Sequence, residues 1–345
     1  MQNRFMSALR GEVTDRRPLW IMRQAGRYLP EYRALRKEHT FEELCASPEL
    51  SAAVTMMPME RFDLDAAIIF ADLMTPVSAL GLNVRFDPGP VLDKPLRSAA
   101  DIRALKVPAD ATSIAPEVPA TLRLVKKQLD PKANLIGFAG SPWSIAAYLV
   151  QGKGGKDFIA MRALLREDPV AFGHLMAVLT ELVTGYLIQQ HKAGADVVQV
   201  FDSWAGLLSL PDWELHMRSH LENLIGELNR AGVPNIYFAN AAPHLAEAHA
   251  SLPSQGLALC WRTDLGALRK KLGPHEGNGK ALQGNLDPAC LLAGPEAARR
   301  GTEDLLSRVP ARGHMVNLGH GITPEVPMES VQAMIDAVHG EAPAN

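Results

Sequence analysis

Pro18-Leu19-Trp20-Ile21-Met22-Arg23-Gln24-Ala25-Gly26-Arg27 runs from a short apolar stretch straight into a loop that sets two arginines around a small Ala-Gly step. The apolar half has the length and composition of a buried strand. Gly26 and Pro30 oppose a helix continuing through the segment, which leaves an arginine-rich surface helix as the weaker reading. Gly26 also lets the backbone come close to a ligand, and the planar forks of Arg23 and Arg27 suit carboxylates or phosphates. The segment reads as a strand that delivers an anion-binding loop.

The same alternation of apolar run and helical stretch recurs along the chain. Leu19 to Met22, Ala66 to Phe70, Leu135 to Phe138, Val197 to Phe201, Ile236 to Phe238, Leu257 to Cys260, Ala281 to Gly284 and Met315 to Leu318 make eight candidate strands. Strands separated by helices imply parallel βαβ units, and eight of them predict an α/β fold of the (β/α)₈ TIM barrel type. Between the third and fourth of these runs lie residues 169–193, where Phe172, Leu175, Met176, Leu179, Leu182, Val183, Tyr186 and Leu187 follow helical spacing and predict a core-facing stripe. Residues 83–96, with Val84, Phe86 and Val91 around Asp87-Pro88-Gly89-Pro90, predict a small inserted hairpin. No boundary divides the chain, so one domain is expected over residues 1–345, ordered from about 4 to 338, with residues 340–345 as a frayed tail.

Composition excludes more than it selects. The 345 residues are 47% hydrophobic and 21% charged, as in an ordinary folded protein, and only 6% aromatic, which offers no stacking platform for bases. The net charge of -3 argues against a nucleic-acid partner. The first 37 residues nonetheless hold nine Lys or Arg against three Asp or Glu, a local field that favours an anion. Three scattered cysteines, Cys45, Cys260 and Cys290, suit a reducing cytoplasm better than a disulfide framework and form no zinc pair. No apolar leader is seen at the start and no later run is expected to approach the length needed to span a bilayer, so neither export nor membrane insertion is predicted.

In a barrel the residues just after each strand meet at one mouth. That gathers Arg23 and Arg27, Asp72, Ser141 with Tyr148 beyond it, Asp202-Ser203-Trp204, and Gly319-His320-Gly321. Cations, an acid, hydroxyls and an imidazole suit a polar anionic molecule. Taken one at a time, these residues have other uses: Asp72 reads equally well as the cap of the turn at Leu73-Met74-Thr75-Pro76, Tyr148 could simply pack a helix, and Ser203 could cap one.

Arg23 through Tyr32, Gly137-Phe138-Ala139-Gly140-Ser141-Pro142-Trp143, Phe201-Asp202-Ser203-Trp204-Ala205-Gly206, Gly284-Asn285-Leu286-Asp287-Pro288 and Asn317-Leu318-Gly319-His320-Gly321 together resemble, in order and separation, the motifs of the uroporphyrinogen decarboxylase family. The resemblance implies a single barrel domain, usually a cytoplasmic homodimer, that removes CO₂ from the four acetates of uroporphyrinogen III to give coproporphyrinogen III without metal or organic cofactor. It implies Asp72 as the carboxylate that accepts hydrogen bonds from the pyrrole NH groups and stabilises positive charge on the reacting ring. It implies Arg23 and Arg27 as carboxylate partners and electrostatic assistants to catalysis. Gln24, Ala25, Gly26, Tyr148, Ser203 and His320 complete the implied substrate contacts. A guanidinium holds its proton too tightly to be an ordinary general acid, so binding comes first for the arginines.

The pattern departs from the family in places. Ser144 stands where Thr is common, Ala71 where Ser is frequent, and Phe238-Ala239-Asn240-Ala241-Ala242 lacks the expected lysine or glycines. Gly152-Lys153-Gly154-Gly155-Lys156 imitates a phosphate cradle, but Asp157 replaces the P-loop hydroxyl residue, so a loop near the site is expected. His216 and His220 have i, i+4 spacing, but Met217 fills the glutamate place of HExxH and no metal site is predicted. Corrinoid-linked methyltransferases share the barrel, but they would need a thiolate-rich zinc site, and neither Cys260 nor Cys290 lies in a His-x-Cys pattern. A silent tetrapyrrole-binding protein is opposed by the presence of Asp72.

Overall fold

Parallel strands covered on both faces want apolar side chains at nearly every position rather than at alternate ones. Val197-Val198-Gln199-Val200-Phe201-Asp202 shows the result: all six residues of this strand are buried. The computed structural model describes residues 3–87, 89–275 and 279–340. Its strands are β1 (Ala66–Ile68), β2 (Val84–Phe86), β3 (Pro90–Leu92), β4 (Asn134–Gly140), β5 (Val197–Asp202), β6 (Asn235–Ala239), β7 (Gly256–Leu259), β8 (Ala281–Gln283) and β9 (His314–Met315). Seven of them form one parallel sheet in the order β1-β4-β5-β6-β7-β8-β9. Pairing Gly140 with Phe201 and Asp202 with Ala239 brings consecutive strand ends to one level.

The first expected strand is corrected by the structure. Pro18–Met22 lies between β9 and β1 and bonds to both, with Val316 N–H donating to the Pro18 carbonyl at 2.8 Å and Asp65 N–H to that of Leu19 at 2.9 Å, yet it forms only an isolated parallel bridge, Leu19 to Val316. Side chains take the N–H groups that a ladder would use. Leu19 N–H donates to the Asp65 carboxylate (2.8 Å), Ile21 N–H to Gln24 Oε1 (3.1 Å) and Met22 N–H to Asn317 Oδ1 (2.8 Å). Asp65 is buried and also meets Arg16 at 2.6 Å and Arg4 at 3.3 Å, so its charge is compensated where it ties the segment to β1. The sheet curls around a polar interior layer. Trp20 Nε1 donates to Gln283 Oε1 on β8, and Gln283 Nε2 donates to Gln199 Oε1 on β5, each at 3.0 Å.

Helices cover the outside and start where their caps are. Ser141 caps Pro142–Gln151 by accepting from Ser144 N–H, Pro142 occupies the first turn where its missing N–H costs nothing, and Gly152 ends the helix at φ 87°. Asp168 caps Pro169–Lys192 in the same way. All eight residues of the expected stripe on that helix are buried. This 24-residue helix holds an 18-residue stretch of mean hydropathy 1.5, long and apolar enough to cross a membrane, which corrects the expectation that no run approaches that length. Its apolar side chains pack against β4, β5 and neighbouring helices, as a core helix does. The hairpin β2–β3 forms as expected, pairing Val84 with Leu92, and docks through Leu92 N–H on the Gly152 carbonyl and through Phe86 against Phe41. Pro88 in its turn, and residues 341–345 of the tail expected over 340–345, lie outside the described residues.

Candidate active site

The arginine loop holds its own shape, which leaves its guanidiniums uncommitted. Gln24 N–H donates to the Ile21 carbonyl at 2.8 Å and Leu29 N–H to that of Gly26 at 3.0 Å. Arg33, the third arginine, clamps the loop by donating to the carbonyls of Arg27 (2.8 Å) and Tyr28 (2.9 Å). A Cβ on Gly26 would lie 2.8 Å from the Arg23 carbonyl, so the turn admits only glycine there. Arg23 itself takes φ 65°, a left-handed conformation that costs a non-glycine residue about 1 to 2 kcal/mol. Arg23 and Arg27 are exposed and make no ion pair among the described residues. Gln24 goes the other way: fully buried, it accepts from Ile21 N–H and donates to the Ala66 carbonyl at 3.1 Å, so it braces the loop and does not face the cavity.

Asp72 follows β1. Its N–H donates to Thr75 Oγ1 (3.1 Å) and its Oδ1 accepts from Met74 N–H (2.8 Å), so the capping reading holds for one carboxylate oxygen. Oδ2 has no hydrogen-bond partner among the described residues. Burial pushes this carboxyl up to about 6, opposed by the Met74 N–H and by the charge of Arg23. It remains ionised at neutral pH.

Arg23, Ala25, Gly26, Arg27, Asp72, Tyr148, Ser203 and His320 all line one cavity of about 380 Å³. Of the substrate contacts that the family resemblance implies, only Gln24 is missing from its wall; of the other residues gathered at the strand ends, Ser141, Asp202, Trp204, Gly319 and Gly321 stand behind it. His320 is kept neutral, its imidazole lowered to about 4 by burial and then by the charge of Arg23, with smaller opposing help from Gly321 and a further push from Arg262. A Cβ on Gly321 would run into the Arg23 side chain, and one on Gly319 into the backbone of Trp261, so both glycines are there for close approach. Tyr148 stands edge-on to Phe158 (5.4 Å) and Trp204 (6.1 Å), and burial raises its phenol further above the usual range.

Other residues complete the wall without any sequence signal beyond being apolar at strand ends. Phe138, Phe201 and Phe238, on β4, β5 and β6, meet edge to face at 5.5 Å spacings and line the cavity together. Beneath Ser203, the buried Asp202 has both oxygens occupied, by Ser144 Oγ at 2.8 Å and by Tyr237 OH at 2.6 Å, and burial raises its carboxyl. Ser144 Oγ also accepts from Trp204 N–H at 3.2 Å, so serine here supplies the hydroxyl the loop needs. Asn240 holds the Ser203 carbonyl at 3.1 Å, and Ala241 sits at φ 52°, where the glycine expected from the family would be relaxed.

The rejected motifs fall as their spacing allows. Gly152–Lys156 lies beside the site, its Lys153 bridged to Val91 of the hairpin. His216 ends the helix Leu210–His216 and packs on Phe172, while His220 belongs to the next helix, Arg218–Arg230, so the pair shares no helical face. Among the described residues no three His, Cys, Asp or Glu side chains group as metal ligands. The cavity thus offers an apolar floor, two free cations at its edge, and a single carboxylate with an open oxygen in a low-dielectric setting, an arrangement able to hold a carboxylated ring and stabilise positive charge on it.

A family model described as uroporphyrinogen decarboxylase matches residues 1–341. A uroporphyrinogen decarboxylase of Geobacter sp. (strain M21) is 42% identical over 340 residues, covering 98% of each chain. Another from Alkalilimnicola ehrlichii is 43% identical over 349 residues, covering 99% of this chain and 94% of its own. Among solved structures, a methyltransferase from Methanosarcina mazei superposes with a TM-score of 0.82 at 22% identity over 97% of both chains. A B12-independent methionine synthase from Shewanella sp. W3-18-1 gives 0.55 at 10% identity, covering 95% of this chain and 96% of that one. At these identities the two structures share the fold alone.

Proposed function

Since this chain belongs to the uroporphyrinogen decarboxylase family, we propose that its cavity receives one acetate-bearing pyrrole of uroporphyrinogen at a time and that Asp72 is the carboxylate that makes decarboxylation possible. The enzyme is a carboxy-lyase of tetrapyrrole biosynthesis, converting the four acetates to methyl groups with release of four CO₂. The single observation that carries the residue assignment is the open Oδ2 of Asp72, a residue of the wall of a cavity with an apolar floor.

The substrate brings its own electron sink. A proton added to the ring carbon next to the acetate arm makes the pyrrole cationic. The electrons of the breaking C–C bond then flow into the ring as CO₂ leaves, a second proton converts the resulting exocyclic methylene to methyl, and the ring carbon gives up the proton it first gained, which restores the pyrrole with one proton consumed per CO₂. Asp72 lowers the first barrier by placing a fixed negative charge where the positive one develops and by accepting the pyrrole N–H bonds. Burial strengthens that interaction while leaving the group ionised at pH 7. Arg23 and Arg27 bind substrate carboxylates by charge-assisted hydrogen bonds and assist through their field. The neutral His320, with Tyr148 and Ser203, hydrogen-bonds further acid oxygens.

The rest of the reading is coarser. One domain fits the continuous core and a cytoplasmic location fits the three free cysteines, while a homodimer and the III isomer are proposed from family membership. Purified protein given chemically reduced uroporphyrinogen under anaerobic conditions, without added metal, forms coproporphyrinogen and four equivalents of CO₂. Folded protein that leaves the substrate unchanged would contradict the assignment.

A further inference from the structure

The loop after β7 carries a cation that the chemistry above does not use. Cys260 to Thr263 form a tight turn, with Thr263 N–H donating to the Cys260 carbonyl at 3.0 Å. Asn285, from the loop after β8, clamps that turn by donating to the carbonyls of Cys260 (2.9 Å) and Thr263 (2.7 Å). Cys260 points inward and is fully buried, whereas Trp261 is 39% exposed and Arg262 is exposed beside it. The turn is pressed against Gly319, where any Cβ would meet the Trp261 backbone, so it abuts the loop that carries His320.

Arg262 is held but unpaired. Its guanidinium carbon lies 4.2 Å from the centre of the Trp261 ring, a stacked arrangement that restricts a long side chain without neutralising it. It makes no hydrogen bond or ion pair among the described residues, and its charge acts on the His320 imidazole. The adjoining loop after β6, Asn240-Ala241-Ala242, brings no charge, so within residues 240–242 and 260–264 Arg262 is the one basic side chain. A substrate with acid arms around a macrocycle, inserted by one ring at Asp72, must point the arms of its other rings out of a cavity of about 380 Å³. The β7 side of the mouth, where the Trp261 turn abuts the His320 loop, is one place where such an arm can lie.

We propose that Arg262, stacked on Trp261, is a further substrate-anchoring residue that binds a carboxylate of a ring remote from the reacting one and fills the place left without charge by Asn240-Ala241-Ala242. This rests on the reading of the cavity as the uroporphyrinogen site. Because such a contact is equally present before and at the transition state, its loss appears in KM rather than in kcat.

The test is steady-state kinetics of the full-length enzyme with reduced uroporphyrinogen for Arg262→Gln, Arg262→Lys and Arg262→Glu, each at low and moderate salt. Arg262→Gln should raise KM about tenfold, as expected for one charge-assisted hydrogen bond. Arg262→Glu should raise it further, Arg262→Lys should recover part of the loss, and the Gln variant should lose part of the parent's salt dependence. KM within twofold of the parent in both Arg262→Gln and Arg262→Glu overturns the anchor, as does a fall in kcat at unchanged KM. A parent enzyme that leaves uroporphyrinogen untouched overturns the underlying reading as well. An active parent with indifferent Arg262 variants overturns this proposal alone.

Discussion

Replacing Asp72 by Asn should make the enzyme both nearly inactive and more stable. The amide keeps an oxygen for the Met74 N–H, so the turn survives, while the negative charge is removed from the cavity. In the folded protein the Asp72 carboxyl is raised from 3.8 to about 6, chiefly by burial, so holding it ionised at pH 7 costs the folded state about 3 kcal/mol. The folded form binds this proton more tightly than the unfolded chain. Its penalty is therefore fully present above pH 6, shrinks as the pH falls, and is gone below about pH 4. Asp72→Asn should stand above the parent by about 3 kcal/mol at pH 7, roughly 4 °C in melting temperature for a chain of this length, and the two should converge near pH 4. Activity should move the opposite way, with kcat/KM falling 10²- to 10³-fold on loss of a preorganised charge. Paired thermal melts from pH 4 to 8 and anaerobic turnover of uroporphyrinogen measure both. A variant with turnover within tenfold of the parent would remove Asp72 from the catalytic role. A variant less stable than the parent at pH 7 would show that its surroundings favour the charge, contrary to the burial argument.

Two further substitutions test how the site is held. In Gly321→Ala the backbone conformation is ordinary but the added methyl displaces the Arg23 side chain, so kcat/KM should fall about tenfold while the melting temperature hardly moves; unchanged kinetics would mean that Arg23 does not act from its observed position. Asp65→Asn leaves the half of Arg16 that faces the interior without its counter-charge and should cost about 3 kcal/mol in denaturant unfolding, whereas a loss under 1 kcal/mol would make the tie between Pro18–Met22 and β1 a minor one.

The seven ladder strands were legible because each is a continuous apolar run flanked by helical spacing, which is what burial on both faces demands. Pro18–Met22 has the same look and yet is only bridged, because what decides its bonding lies far along the chain: Asp65 and Asn317 take N–H groups that neighbouring carbonyls would otherwise hold. No local pattern foretells a partner 295 residues away. The long helix Pro169–Lys192 shows the converse limit, since its composition satisfies a bilayer as well as a protein core and only its packing tells them apart.

Within the site, residue type picked out side chains that share one cavity, and orientation separated their parts. Arg23 and Gln24 are adjacent, but the left-handed turn at Arg23 sends one to the cavity and the other into the backbone of Ile21 and Ala66. Asp72 and Asp202 make the sharper comparison. Both are acids at the ends of strands, Asp202 fully buried and Asp72 half-buried in the cavity wall, and in both the loss of solvent raises the carboxyl. Asp202 spends one oxygen on Ser144 and the other on Tyr237, so its charge is consumed in setting the Ser203-Trp204 loop. Asp72 spends one on its own turn and keeps the other open to the cavity. A carboxylate whose lone pairs are all taken can only build, whereas one with an oxygen free in a low-dielectric wall gains its best partner when a cation forms in front of it. That open lone pair, rather than the presence of an aspartate at a strand end, is what distinguishes the proposed reacting position from the supporting one.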